Sequence, residues 1–103
     1  MYTETAYAFE TVTVPSGNVA AALTRTKYDL QQGLPCKKVL ITVSSAVSVS
    51  YSLISGVTVG SATGHQLNAY GVLIIEDLGA IKNFQTTSVS SGTTGLISVT
   101  YFR

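Results

Sequence analysis

Val47-Ser48-Val49-Ser50-Tyr51-Ser52-Leu53 alternates apolar and hydroxyl-bearing side chains without a fault. Successive side chains on a strand point to opposite faces, so a period of two is the signature of a half-buried β-strand. The pattern predicts Val47, Val49, Tyr51 and Leu53 facing inward and the three serines facing outward. Leu96-Ile97-Ser98-Val99-Thr100-Tyr101-Phe102 repeats the alternation near the end of the chain, with Ile97 and Val99 expected in the core.

The same reading extends in both directions from these anchors. Cys36-Lys37-Lys38-Val39-Leu40-Ile41-Thr42-Val43 is strand-like, with an apolar stretch suited to burial on both faces. Phe9-Glu10-Thr11-Val12-Thr13-Val14 is rich in β-formers and stops at the turn Pro15-Ser16-Gly17-Asn18. Val57-Thr58-Val59 reads as a short strand closed by Gly60, and Leu73-Ile74-Ile75-Glu76 as another after Gly71. Ala80-Ile81-Lys82-Asn83-Phe84 is a weaker strand candidate. Residues 86–95, rich in Ser, Thr and Gly, read as a hairpin loop with ragged strand ends. Residues 18–32 admit two readings. One is a helix capped by Asn18 and ended by Gly33; the other, favoured because Thr24, Thr26 and Tyr28 lower helix propensity, is a short strand over 19–23 and then a loop. Seven to eight short strands at this spacing predict an all-β, antiparallel β-sandwich of jelly-roll type. They form one domain over 1–103, with residues 1–8 read as an extended N-terminal arm.

Composition narrows the function classes. Hydrophobic residues make up 46% of the chain and charged residues 11%, with a mean hydropathy of +0.36 and a formal net charge of +1. Ser and Thr supply roughly a quarter of the sequence, where charge would stand in an average domain. The apolar runs 39–43 and 72–75 are far below the ~20 residues of a spanning helix, so no membrane association is expected. No basic cluster exceeds Lys37-Lys38, which on a strand face apart, so nucleic-acid binding is not expected either. What remains is a poorly charged surface covered by neighbours, which points to assembly. The N-terminus lacks a signal stretch, so synthesis in the cytoplasm without export is expected. The single Cys36 rules out an internal disulfide.

Residues able to carry chemistry are few. His65 is the lone histidine, and a Ser-His-Asp arrangement would need Asp29 or Asp77; no nucleophile-elbow sequence is present, so His65 reads as a turn residue after Gly64. Glu76 and Asp77 are adjacent, which on a strand turns them apart; they read as charges that blunt a strand end. One Cys and one His do not make a zinc site, and Cys36 beside Lys37 and Lys38 reads as a small residue opening a buried strand. Gly60-Ser61-Ala62-Thr63-Gly64 lacks the Lys-Ser/Thr ending of a phosphate loop and reads as a tight connection. No catalytic, metal or cofactor-binding residue and no cofactor is expected. The tyrosines placed in or near loops and termini, Tyr2, Tyr7, Tyr28 and Tyr70, are the candidate interface residues, with packing over core edges as the alternative.

Several phrases carry a family resemblance: Phe9-Glu10-Thr11-Val12-Thr13-Val14-Pro15, the strand 36–43, Val59-Gly60-Ser61-Ala62-Thr63-Gly64-His65-Gln66-Leu67-Asn68, Ala80-Ile81-Lys82-Asn83-Phe84 and the closing strand 96–102. Together they resemble small tailed-bacteriophage virion proteins, similar to capsid decoration or cement proteins. The resemblance implies a structural protein of the virion, made in the host cytoplasm and bound to the major capsid protein or another virion protein. A homo-oligomer, dimer or trimer, is expected with it. The sequence departs from the family pattern at Ser44-Ser45-Ala46-Val47-Ser48, where charge would be expected, and by one extra residue in Leu67-Asn68-Ala69-Tyr70-Gly71. A neck or tail component and a virion-surface carbohydrate-binding sandwich are the competing readings. An enzyme is a distant third, tested most simply by His65→Ala.

Overall fold

A computed structural model describes residues 5–16, 19–28, 36–54, 59, 64–90 and 92–103. Among the described residues eight strands form two four-stranded sheets. They are β1 (Ala6–Val14), β2 (Ala21–Ala22), β3 (Lys38–Val43), β4 (Val49–Ser52), β5 (His65–Leu67), β6 (Val72–Ile75), β7 (Gln85–Ser88) and β8 (Gly95–Phe102). The first sheet runs β1-β8-β3-β6 and the second β2-β7-β4-β5, with every described pairing antiparallel. Consecutive strands mostly cross from one sheet to the other, and the two orders interleave as in a jelly roll. Two short helices of the described residues, α1 (Arg25–Tyr28) and α2 (Leu78–Asn83), lie in the connections.

The alternation of the first sheet is the one expected. Val39, Ile41 and Val43 of β3, and Ile97, Val99 and Tyr101 of β8, are fully buried and meet across the register pairs Val39↔Tyr101, Ile41↔Val99 and Val43↔Ile97. Val14, Ile75, Ile81, Phe84, Val49, Leu23 and Cys36 complete one core. β3 is buried on one face only; Leu40 and Thr42 on the other are half-buried. β1 begins before Phe9, and Thr5 exchanges backbone hydrogen bonds of 3.0 Å with Arg103, so the described end of the N-terminal arm belongs to the sheet.

Four further local expectations change. Residues 80–83 are helical, not a strand, and Phe84 is the extended residue that caps the helix. The Asp77 carboxylate accepts a hydrogen bond of 3.0 Å from the Ala80 amide, the N-cap geometry, and Lys82 stands in the last turn. Residues 86–95 are not a hairpin loop. Gln85–Ser88 is an interior strand of the second sheet, between β2 and β4, and residues 89–94 cross to β8 in the other sheet. Ser50 and Ser52 of β4 do not face solvent; they are only 3% and 5% exposed. His65 opens strand β5 and is not a turn residue.

The burial of so polar a strand pair has a direct cause. Thr86 and Thr87 are fully buried, and their hydroxyls donate to the Ser50 and Pro15 carbonyls at 2.9 and 3.0 Å. Short hydroxyl side chains thus satisfy themselves on nearby backbone and escape the penalty of burying an unpaired polar group. Among the described residues no buried side-chain nitrogen or oxygen lacks a partner. In the stretch 18–32, the strand reading holds at Ala21–Ala22, and a single helical turn follows at Arg25–Tyr28. The strand expected at 57–59 and the connection expected at 60–64 lie largely outside the described residues; Val59 is buried.

Candidate interaction surface

The charged residues are confined to four stretches of sequence, 4–10, 25–38, 76–82 and 103, and none stands in 11–24, 39–75 or 83–102. The registers turn this into a polarity in space. Ala6, Lys38, Ile75 and Phe102 lie at one end of the first sheet; Val14, Val43, Val72 and Gly95 lie at the other. Lys37, Lys38, Glu76, Asp77, Lys82 and Arg103 therefore gather at the first end, together with the α1 connection that carries Lys27. The opposite pole is built from the connections β1–β2, β3–β4, β5–β6 and β7–β8, and its sequence contains no Asp, Glu, Lys, Arg or His.

Hydroxyl groups tie the loops of this pole to one another. The Ser45 hydroxyl accepts from the Leu96 amide at 3.2 Å, and the Ser48 hydroxyl from the Ala69 amide at 3.1 Å. Backbone bonds join Ser88 to Pro15 (2.9 Å), Val89 to Ser48 (3.1 Å) and Ser44 to Leu96 (2.9 Å). The serine run at 44–48 thus binds neighbouring loops without ions.

Tyr70 stands on this pole. The Gly71 amide donates to the Asn68 carbonyl at 2.8 Å, closing a tight turn over 68–71. A Cβ on Gly71 would come within 2.8 Å of that carbonyl, so the residue must be glycine. Tyr70 has φ of 61°, in the left-handed region, and it alone among the described non-glycine residues has a positive φ. A bulky side chain there is strained, and strain of this kind collects at functional sites. The residue is 67% exposed.

An uncharged strip of sheet continues from the pole. On the outer face of the first sheet, Phe9, Thr100, Leu40 and Ile74 fall in one cross-strand row, and Thr11, Ser98, Thr42 and Val72 in the next. Phe9, Val72 and Ile74 are each more than half exposed. Val19, in the β1–β2 connection of the pole, is also exposed; of the large apolar side chains exposed in the described residues, Ile54 alone lies away from the pole and this strip. Lys38 marks the strip's far end, its ammonium 4.8 Å from the centre of the Phe102 ring.

The remaining sequence candidates are placed elsewhere. Tyr28 is buried in the core. Tyr7 is half-buried: its hydroxyl donates to the Lys27 carbonyl at 2.5 Å, and the Arg103 guanidinium lies 4.8 Å from its ring centre. Burial first, and then the neighbouring Cys36, push the Tyr7 phenol well above the ordinary tyrosine range, against the pull of Arg103. Tyr2 lies outside the described residues. Of the four candidates, then, Tyr70 presents an exposed ring, while Tyr7 and Tyr28 are used for packing. His65 is exposed and its ring lies 5.5 Å from that of Tyr51, which stacks in turn on Phe84. Cys36 is buried, its thiol 3.4 Å from the Lys38 carbonyl. Among the described residues no three His, Cys, Asp or Glu side chains are grouped as metal ligands would be, and no helix is long and apolar enough to cross a membrane. The charge-free pole itself was legible as three long uncharged runs in the sequence, but only the jelly-roll connections bring their loops to one end. No family model, curated protein or solved structure matches the chain.

Proposed function

We propose that this domain is an assembly module of a virion, a capsid decoration or cement protein that binds the shell lattice through its uncharged pole and the adjoining outer face of the first sheet. The observation that carries the reading is Tyr70, a large ring held exposed in a strained turn amid loops without charge. Tyrosine at the centre of a contact supplies large area at low conformational cost, and depletion of charge marks the core of protein interfaces. The charged opposite end supplies a face suited to solvent. A repeating lattice multiplies a modest contact, because many copies engage at once. The identification with phage particles rests on the family resemblance of the strand phrases, and a neck or tail position would use the same surface.

The test is occupancy of purified particles from a host producing the chain. The wild-type chain is expected to band with intact particles in a density gradient, and the Tyr70→Asp chain to remain in the soluble fraction with its fold unchanged. Full occupancy by Tyr70→Asp would overturn the docking role of the pole. Selective retention on a glycan array, lost in the same variant, would instead support the carbohydrate-binding reading.

A further inference from the structure

Among the described residues four strands end the two sheets, and three of them are blunted. β2 has two residues and β5 three. β1 carries a register irregularity between Ala6 and Ala8, and its Glu10 carboxylate accepts from the Thr24 amide at 3.1 Å. Short length, bulges and covering loops are the usual protections of a sheet edge. Among the described residues β6, four residues long, is the least protected of the four. Val72-Leu73-Ile74-Ile75 holds no charge, proline or bulge, and among the described residues the first sheet ends there.

The direction of its backbone groups follows from one hydrogen bond. The Val43 amide donates to the Gly71 carbonyl at 2.9 Å, so the pairs on that register, Ile41↔Leu73 and Val39↔Ile75, bond toward β3. Val72 and Ile74 alternate with them. Their N–H and C=O groups therefore point to the open edge, and their side chains lie on the outer face, 59% and 53% exposed.

We infer that β6 pairs antiparallel with β6 of a second copy of this chain about a two-fold axis. Of the registers that set outward-pointing groups opposite one another, one matches Val72 with Ile74 of the second copy and Ile74 with its Val72. That register buries aliphatic against aliphatic on both sides of the axis, the kind of cross-strand pair that stabilises sheets. Shifting one way sets Ile74 against Tyr70, whose left-handed backbone leaves the strand. Shifting the other way sets Val72 against the Glu76 carboxylate. The pairing joins the two first sheets into one, with both uncharged outer faces on the same side and the two poles directed oppositely. A module so arranged has two docking ends, as a bridge between neighbouring shell subunits requires. The pairing stands on β6 itself and does not depend on what the pole binds.

Strands this short bury less than the ~1,200 Å² of a lasting interface, so the free dimer is weak, with a Kd on the order of 0.1–1 mM. Sedimentation of the full chain between about 10 μM and about 1 mM is expected to show a shift from monomer to dimer. Ile74→Pro removes an outward donor and spares the ladder to β3; proline is tolerated at such edge positions. Val72→Lys keeps the backbone and places a charge on the edge. Each is expected to abolish the dimer with the far-UV spectrum unchanged, and Val72→Lys decides the matter if Ile74→Pro fails to fold. In a Cys36→Ser background, an oxidised mixture of Val72→Cys and Ile74→Cys chains is expected to yield the mixed disulfide. A monomer throughout, a dimer that survives both edge variants, or an excess of Ile74→Cys homodisulfide would overturn the inference.

Discussion

The Tyr101 hydroxyl on β8 donates a hydrogen bond to the Glu10 carboxylate on β1, across 91 positions of sequence. Glu10 lies on the inward side of its strand, with Ala8, Val12 and Val14, where the alternation would place an apolar residue. The same carboxylate accepts from the Thr24 hydroxyl at 2.5 Å and the Thr24 amide at 3.1 Å. It therefore fastens the connection after β2 to two strands of the first sheet. Glu10→Ala leaves the buried Tyr101 hydroxyl without its acceptor, and hydrogen bonds to charged groups contribute about 1.5–3 kcal/mol. A stability loss of about 2–3 kcal/mol is expected in urea titration, with Glu10→Gln losing about half as much because it keeps an acceptor. Equal losses in the two variants would show that the carboxylate packs without bonding.

Alkaline pH is expected to unfold the domain. Burial first, and the bond to Glu10 second, push the Tyr101 phenol far above its ordinary value of 10.0, and Tyr7 moves the same way. The folded state then holds protons that the unfolded chain releases. Their stabilising contribution is complete below pH 10.0 and declines progressively above it, since stability falls with pH wherever the native state binds more protons. Urea midpoints measured between pH 8 and 12 should be flat at first and then decline; Tyr101→Phe should be less stable at pH 8 and show a shallower decline. An identical slope in Tyr101→Phe would remove that phenol from the linkage.

The closing strand sets a sharp contrast between neighbours. Ile97 is fully buried between Val12 and Val43, whereas Ser98 lies on the outer face with its hydroxyl 3.3 Å from that of Ser44. Ile97→Ala is expected to cost roughly 2–5 kcal/mol, as large-to-small core substitutions do. Ser98→Ala should be close to neutral, because a half-exposed hydroxyl regains its hydrogen bonds from water. A larger loss in Ser98→Ala would mean that the strand sits one residue out of this register.

The architecture was readable where one sheet face is apolar and the other polar. β3 and β8 announce themselves because Val39, Ile41, Val43, Ile97, Val99 and Tyr101 alternate with polar or half-buried neighbours. β4's serines and all of β7 carry no such signal, because Ser50, Ser52, Thr86 and Thr87 are polar yet buried, with Thr86 and Thr87 bonding to the Ser50 and Pro15 carbonyls. Hydropathy does not distinguish a hydroxyl bound to a carbonyl from one in water. Ala80-Ile81-Lys82-Asn83-Phe84 misled for a different reason. The run alone suits a strand, and the deciding residue, the N-cap Asp77, lies outside it, where its charge suits a strand end equally well. Tyr70 was identified from residue type and a loop position, but its left-handed backbone had no signal in the sequence, since glycine or asparagine is the residue that announces such a turn.

That backbone makes Tyr70 the position where stability and assembly should part. A non-glycine residue in the left-handed region costs on the order of 1–3 kcal/mol, part of which glycine gives back through the greater freedom it lends the unfolded chain. Tyr70→Gly is therefore expected to raise stability by about 1 kcal/mol, read as a higher urea midpoint at unchanged slope. Tyr70→Asn, with a side chain that tolerates this conformation, should gain less. Both should lose particle occupancy, since the exposed ring is gone while the fold is firmer. A ring retained only for packing predicts the reverse: Tyr70→Gly would be destabilised, and its occupancy would fall only as far as its folded fraction falls.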